Sequence, residues 1–163
     1  MEILETESSK MFPMFYGNSF LQYTNVEIIN RIKGYKTIIH LNLRAFRYCW
    51  NGIHDLDTVY NLIFDSSNGL ILWFGETYRK SKDYLAVGLK YGHLNININL
   101  GSGDHQLSFN VTRIDDGQWH EIDIIRYGKQ MFIRIDHNVA IRGNIQGDKS
   151  QLDINSALFL GKK

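Results

Sequence analysis

"HLNININL", residues 93 to 100, decides how the rest of the chain is read. Leu94, Ile96, Ile98 and Leu100 alternate strictly with Asn95, Asn97 and Asn99. A period of two sends successive side chains to opposite faces, so this stretch is a strand with one apolar and one polar face. Upstream, "DYLAVGLK" (83–90) joins it through Tyr91-Gly92, a pair suited to a tight two-residue hairpin. "TIIHLNLRAF" (37–46), "GLILWF" (69–74), "WHEIDIIRY" (119–127), "QMFIRID" (130–136) and "SALFLG" (156–161) share the β-branched and aromatic bias, bounded by Gly, Asn or Asp. Tyr127-Gly128-Lys129 and Asp136-His137-Asn138 supply two more close turns, so the strands pair as antiparallel hairpins. Residues 24–33 and 54–64 could hold a helical turn, but neither is long enough to stand as a helix. The expected fold is all-β: an antiparallel sandwich of the jelly-roll kind, in one domain with no repeat or linker.

A length of 163 residues suits one domain. Lys+Arg 18 against Asp+Glu 17 leaves a net charge of +1, so nucleic acid and anionic membranes find no global attraction. Any charged partner must be met by a local patch. No apolar run is long enough to span a bilayer, and the acidic, polar "MEILETESSKMF" (1–12) is not a secretory leader. Residues 1–11 read as a flexible N-terminal segment. Cys49 is the sole cysteine, which permits no intrachain disulfide and fits either a reducing compartment or a piece of a secreted protein. One proline against 14 glycines favours tight turns over a disordered tail.

Catalytic readings are weak against this background. "GSGDHQ" (101–106) has no following Lys-Ser/Thr and opens no helix, so it is no phosphate cradle. Ser102, Asp104 and His105 crowd one loop and cannot generally take up nucleophile, base and orienter positions. A glycine turn carrying solvated polar residues accounts for them. "EIDIIR" (121–126) resembles the catalytic strand of jelly-roll glycosidases that cleave β-glucans, with Glu121 and Asp123 on one face. The second glutamate of that pattern is replaced by Ile125 or Arg126, so a solvated outer face is the preferred account and no enzyme is expected.

The six histidines (40, 54, 93, 105, 120 and 137) lack metal-ligand spacing, and one cysteine builds no zinc site. Trp119, beside His120 at the mouth of a strand, reads as a core anchor. Asp83 begins a strand and Asp153 precedes the last one. Both read as turn residues, with a shared calcium site as the alternative.

"PMFYGNSFLQY", "GLILWFGE", "KDYLAVGLKYGHLNININLGSG", "IDDGQWHEIDIIRYGKQMFIRID" and "QLDINSALFLG" follow one another in the order found in laminin G-like domains. The chain most resembles the agrin, perlecan and pikachurin type, over about residues 12 to 161. The "D-x-G-x-W-H" entry into a strand ending in Arg126 is the more specific part, and "LGSG" belongs to the pattern as a structural turn.

The resemblance implies an extracellular, non-catalytic adhesion module over residues 12–163. It also implies a rim calcium site of two aspartates and two main-chain carbonyls. In this sequence those positions are Asp83, Leu100 (carbonyl), Gln151 (carbonyl) and Asp153. Arg79, Lys80, Lys82, Arg142 and Lys149, read as loop residues nearest the rim, would form a patch for acidic glycans such as those on dystroglycan or heparan sulfate. A calcium-independent module binding matrix or receptor proteins is the rival reading. Two departures stand out: the family's "G-F-x-G-C" C-terminal strand is not present after Gly161, and residues 47–65 read as an inserted loop.

Overall fold

The computed structural model describes residues 14–15, 20–24, 29, 32–46, 61–64, 66–75, 83–137 and 139–161. Among them the strands, in chain order, are β1 (Met14–Phe15), β2 (Phe20–Tyr23), β3 (Lys36–Phe46), β4 (Asn61–Phe64), β5 (Gly69–Gly75) and β6 (Tyr84–Lys90). They continue as β7 (His93–Asn99), β8 (Asp104–Phe109), β9 (Asp116–Tyr127), β10 (Gln130–Ile135), β11 (Val139–Asn144) and β12 (Leu158–Gly161). One sheet runs β1-β4-β3-β9-β10-β11 and the other β2-β12-β5-β6-β7-β8. This is the all-β sandwich expected from the alternation.

The inward set follows the period of two. Ile39, Leu41 and Leu43 of β3, Ile122 and Ile124 of β9, and Met131 and Ile133 of β10 face Leu85, Val87, Leu94, Ile96 and Ile98 of the other sheet in one buried core. Burying each such side chain stabilises by about 1.5–3 kcal/mol, so the register is fixed by its apolar face. A one-residue slip would turn the whole set outward.

The expected turns are present. Lys90 pairs with His93 across Tyr91 (φ 54°) and Gly92 (φ 80°), the two positive φ values that a type I′ hairpin demands. Gly128 (φ 55°) turns β9 into β10, and Asp136 (φ 51°) and His137 (φ 60°) lead towards β11. Asn138 lies outside the described residues.

Three parts differ from the sequence reading. "DHQLSF" is not loop but strand β8, paired to β7 from Asn99↔Asp104 to Leu94↔Phe109. Residues 139–144, likewise unassigned, form β11 at the edge of the first sheet. Residues 61–64, within the segment read as an insertion and as a possible helical turn, form β4, which pairs in parallel with β3 and β1. Residues 47–60 and 65, Cys49 included, lie outside the described residues, as do 1–13. The other helical expectation holds over one turn, where Lys33 N donates to Ile29 O at 3.0 Å.

Candidate functional site

The β6–β7 hairpin returns the end of its second strand beside the start of its first. Tyr84 pairs with Asn99, and one step further places Asp83 opposite Leu100 at the rim. Asp83 is 9% exposed. Its Oδ2 accepts the amide of Asp153 at 2.9 Å, across 70 residues of sequence. Its Oδ1 lies 3.1 Å from the point where a Cβ on Gly101 would stand. The backbone of Asp153 and the Leu100–Gly101 corner therefore lie beside the Asp83 carboxylate.

Gln151 belongs to the same strip as Asp153, and that strip is tied down on both sides of it. Leu152 and Gly34 exchange two backbone hydrogen bonds of 2.9 Å each, and Ser150 O accepts from Arg126 at 3.0 Å. The residues available here are oxygen donors: two carboxylates and the carbonyls of Leu100 and Gln151. That donor set fits a hard cation such as calcium. Among the described residues no group of three or more His, Cys, Asp or Glu is placed to hold a metal, so any ion at this rim would rest on two carboxylates plus main-chain oxygens.

Arg126 is the residue that sequence reasoning left without a role. Its side chain is fully buried. The guanidinium donates to Thr37 Oγ1 (3.1 Å), Gly128 O (2.8 Å), Ser150 O (3.0 Å) and Gly34 O (2.5 Å). Burial pulls its pKa down to about 10, and the Asp83 carboxylate works in the opposite direction. It remains a cation at neutral pH, clamping the strip that carries Gln151 and Asp153 behind the Asp83 carboxylate. Its inward position follows Ile122 and Ile124 at a period of two, a signal present in the sequence.

Two residues of the expected cationic patch, Arg142 and Lys149, are among those described. Lys149 reaches the rim: its amide donates to Ser102 Oγ at 3.2 Å and its side chain passes Gly101. Arg142 is not in a loop. It lies in β11, its guanidinium 5.5 Å over the ring of Phe132, because residues 139–144 pair with β10 instead of remaining free. Arg79, Lys80 and Lys82 lie outside the described residues.

Of "GSGDHQ", the "GSG" part forms the turn between β7 and β8, and "DHQ" is already strand. Asn99 Oδ1 accepts the amides of Gly101 (2.7 Å) and Gly103 (3.3 Å), while Asn99 Nδ2 donates to Asp104 (2.7 Å).

On the outer face of β9 the expectation of solvated carboxylates is corrected for Asp123, whereas Glu121 stays partly in solvent. Asp123 is buried between His40 and Arg134, both hydrogen-bonded to it. Burial alone would raise its pKa, but those bonds outweigh it and hold the carboxyl below the usual range. Glu121 pairs with His137 at 2.7 Å. His120 is buried between Asp136 (Nδ1, 2.7 Å) and Asp116 (Nε2, 2.9 Å). With a carboxylate on each nitrogen both must donate, which requires imidazolium. Burial opposes that charge; the hydrogen bonds to Asp136 and Asp116 overcome it and raise the pKa. Among the described residues no helix is long and apolar enough to cross a membrane.

Residues 63–163 match the laminin G domain family. Human pikachurin is 30% identical over 150 residues, which cover 91% of this chain and 13% of that protein. The basement membrane proteoglycan of Caenorhabditis elegans is 32% identical over 99 residues, 60% of this chain and 3% of its own length. This chain thus spans a small part of the curated relatives it matches. Domains LG4-5 of the mouse laminin alpha1 chain superpose over 90% of this chain and 33% of theirs, with a TM-score of 0.68 and 21% identity, which is a likeness of fold. The family match and the identity with pikachurin over most of this chain agree: the chain belongs to the laminin G domain family.

Proposed function

We propose that this chain is an extracellular, non-catalytic binding module that captures acidic glycans of matrix or cell-surface partners through a calcium-bearing rim. The observation that carries the reading is the hydrogen bond from the Asp153 amide to a mostly buried Asp83, which brings the two aspartates of the expected set to one corner. Asp83 and Asp153 would supply the charge, and the Leu100 and Gln151 carbonyls would complete the protein's share. When bound, calcium supplies positive charge and open coordination positions for an acidic sugar. Lys149, exposed beside Gly101, adds a cation at the same corner. One mammalian relative, 32% identical over 98 residues, is the mouse basement membrane-specific heparan sulfate proteoglycan core protein, which agrees with a matrix setting.

A second reading has its own support: Arg126 already places a buried cation near Asp83, so the rim could stand as a calcium-independent protein-binding surface. Calcium titration followed by thermal unfolding separates the two. With two carboxylates the affinity is expected on the order of 10⁻⁴ to 10⁻³ M, as in extracellular modules. At about 10 mM calcium the folded state should then gain roughly 1.4–2.7 kcal/mol. Asp83→Asn and Asp153→Asn should each remove most of that gain, and Asp104→Asn none of it. Unfolding that is identical in calcium and in chelator would retire the calcium reading in favour of the second. Retention on immobilised heparan sulfate in calcium, lost in chelator, tests the glycan half.

A further inference from the structure

At the opposite end of the β6–β7 hairpin lies a cavity of about 460 Å³ that owes nothing to the rim. Seven residues of β6 separate the two, roughly 23 Å at strand spacing. Lys90, Tyr91, His93, Asn95, Ser108 and Asn110 line it.

Three features make it more than a crevice. Tyr91 holds a left-handed backbone (φ 54°) that disfavours a bulky side chain, while its ring is displayed with 69% exposure. The turn cannot relax: Tyr91 N donates to Asn68 Oδ1 (2.8 Å), Gly92 N to Ser67 O (2.7 Å), and Ile114 N to Gly92 O (2.8 Å). A strained, pinned and exposed aromatic points to a function for its ring.

Second, the polar lining is pre-oriented. Asn97 Nδ2 donates to Asn95 Oδ1 (3.0 Å), and Asn95 Nδ2 donates to Ser108 Oγ (2.8 Å), which leaves the Ser108 hydrogen to be given to a ligand. His93 Nδ1 faces the Thr112 carbonyl at 3.0 Å, so this nitrogen carries a hydrogen and donates it there. Third, the lining contains one cation, Lys90, and no carboxylate.

We propose that this cavity is a second, calcium-independent binding site for a sugar residue bearing one anionic group. Its flat face stacks on Tyr91, its hydroxyls meet Ser108, Asn110 and His93 Nε2, and its carboxylate or sulfate pairs with Lys90. The site stands apart from the rim, so its test is run in chelator.

The ¹⁵N-labelled full chain is titrated with methyl glucuronide, with methyl glucoside 6-sulfate and with neutral methyl glucoside. A single sugar is expected to bind with a Kd of about 1 mM. Amide shifts should centre on Tyr91, Gly92, Ser108 and Asn110 with the charged sugars, and the comparison of carboxylate with sulfate shows which anion fits. Tyr91→Asn removes the ring but keeps a residue that tolerates the left-handed turn, so it should fold normally and bind about fivefold more weakly. Lys90→Gln should cost about three- to fivefold and abolish the preference for charged over neutral sugar. The proposal is overturned by shifts confined to the Asp83–Asp153 corner, by equal affinity for the neutral sugar, by no shifts at several times the expected Kd, or by undiminished binding in folded Tyr91→Asn.

Discussion

Among the described residues the most deeply buried charge at one end of the sandwich is the guanidinium of Arg126; at the other it is the carboxylate of Asp115, which is 1% exposed. The two stand at either limit of β9, roughly 35 Å apart at strand spacing. Arg126 is held by a hydroxyl and three backbone carbonyls, two of them on distant parts of the chain. Asp115 takes two hydrogen bonds from Arg113, two residues away, and one from Ser67 at 2.6 Å. Arg113 keeps 40% of its side chain in solvent. The contrast shows what sets the cost of a buried charge. Partners that can turn back to water are cheaply deprived, whereas main-chain carbonyls locked in a fold are not.

The largest break in that comparison should come from Arg126→Met. Three carbonyls and the Thr37 hydroxyl would lose a donor together, and we expect a loss of about 3–5 kcal/mol in urea unfolding. Arg126→Lys should recover only part, because an ammonium cannot span the same fork of acceptors. Asp115→Asn should cost less, about 1–3 kcal/mol, since Arg113 can resolvate. A loss equal to that of Arg126→Met would remove the distinction drawn between the two ends.

His120 sharpens the comparison at the Asp115 end through pH. Its folded pKa is raised, so its stabilisation is complete below the unfolded value of about 6.5 and is lost as pH rises through the folded pKa. Asp116 and Asp123, with lowered pKa values, act oppositely: their contribution is present above about 3.8 and fades as pH falls through the folded pKa. Stability should therefore peak on the acid side of neutrality and decline as the histidine deprotonates. His120→Gln should flatten the alkaline limb and shrink the Asp116 part of the acid limb, because His120 helps to hold that carboxyl low, while the Asp123 part stays. The smallest effect is expected from Tyr91→Asn, which relieves a left-handed tyrosine and should stabilise the fold by less than about 1 kcal/mol. A loss of stability there would mean that the ring packs instead of being displayed.

Much of this was legible in the residues. "HLNININL" and the positive-φ pairs gave strands and hairpins because alternation and turn chemistry are local. Asp83 and Leu100 could be placed together by counting along one hairpin. Asp153 could not, since no periodicity links it to a residue 70 positions away; only the likeness to laminin G-like domains did. "DHQLSF" escaped because only Leu107 and Phe109 are apolar, and the strand is held instead by its register with the asparagine face of β7. Asp123 was misjudged as solvated because its burial depends on His40 and Arg134 arriving from two neighbouring strands. Arg126 was readable in principle: its place at the end of an inward apolar alternation marks a buried charge.

The Arg126 clamp also bears on the order in which the molecule is assembled. Its contact with Gly34 spans 92 residues, whereas its contact with Gly128 spans 2. Closing a loop of the longer kind costs about 2 kcal/mol more in chain entropy than closing one of ten residues. The β9–β10 hairpin can therefore form early with its guanidinium in place, and the strips carrying Gly34 and Ser150–Asp153 dock onto it afterwards. Late-docking segments are also the first to come away. The amides of Gly34, Leu152 and Asp153 should thus exchange with solvent through one shared opening, faster than those of β6 and β7, so that the corner proposed to bind opens and closes while the sandwich behind it stays folded.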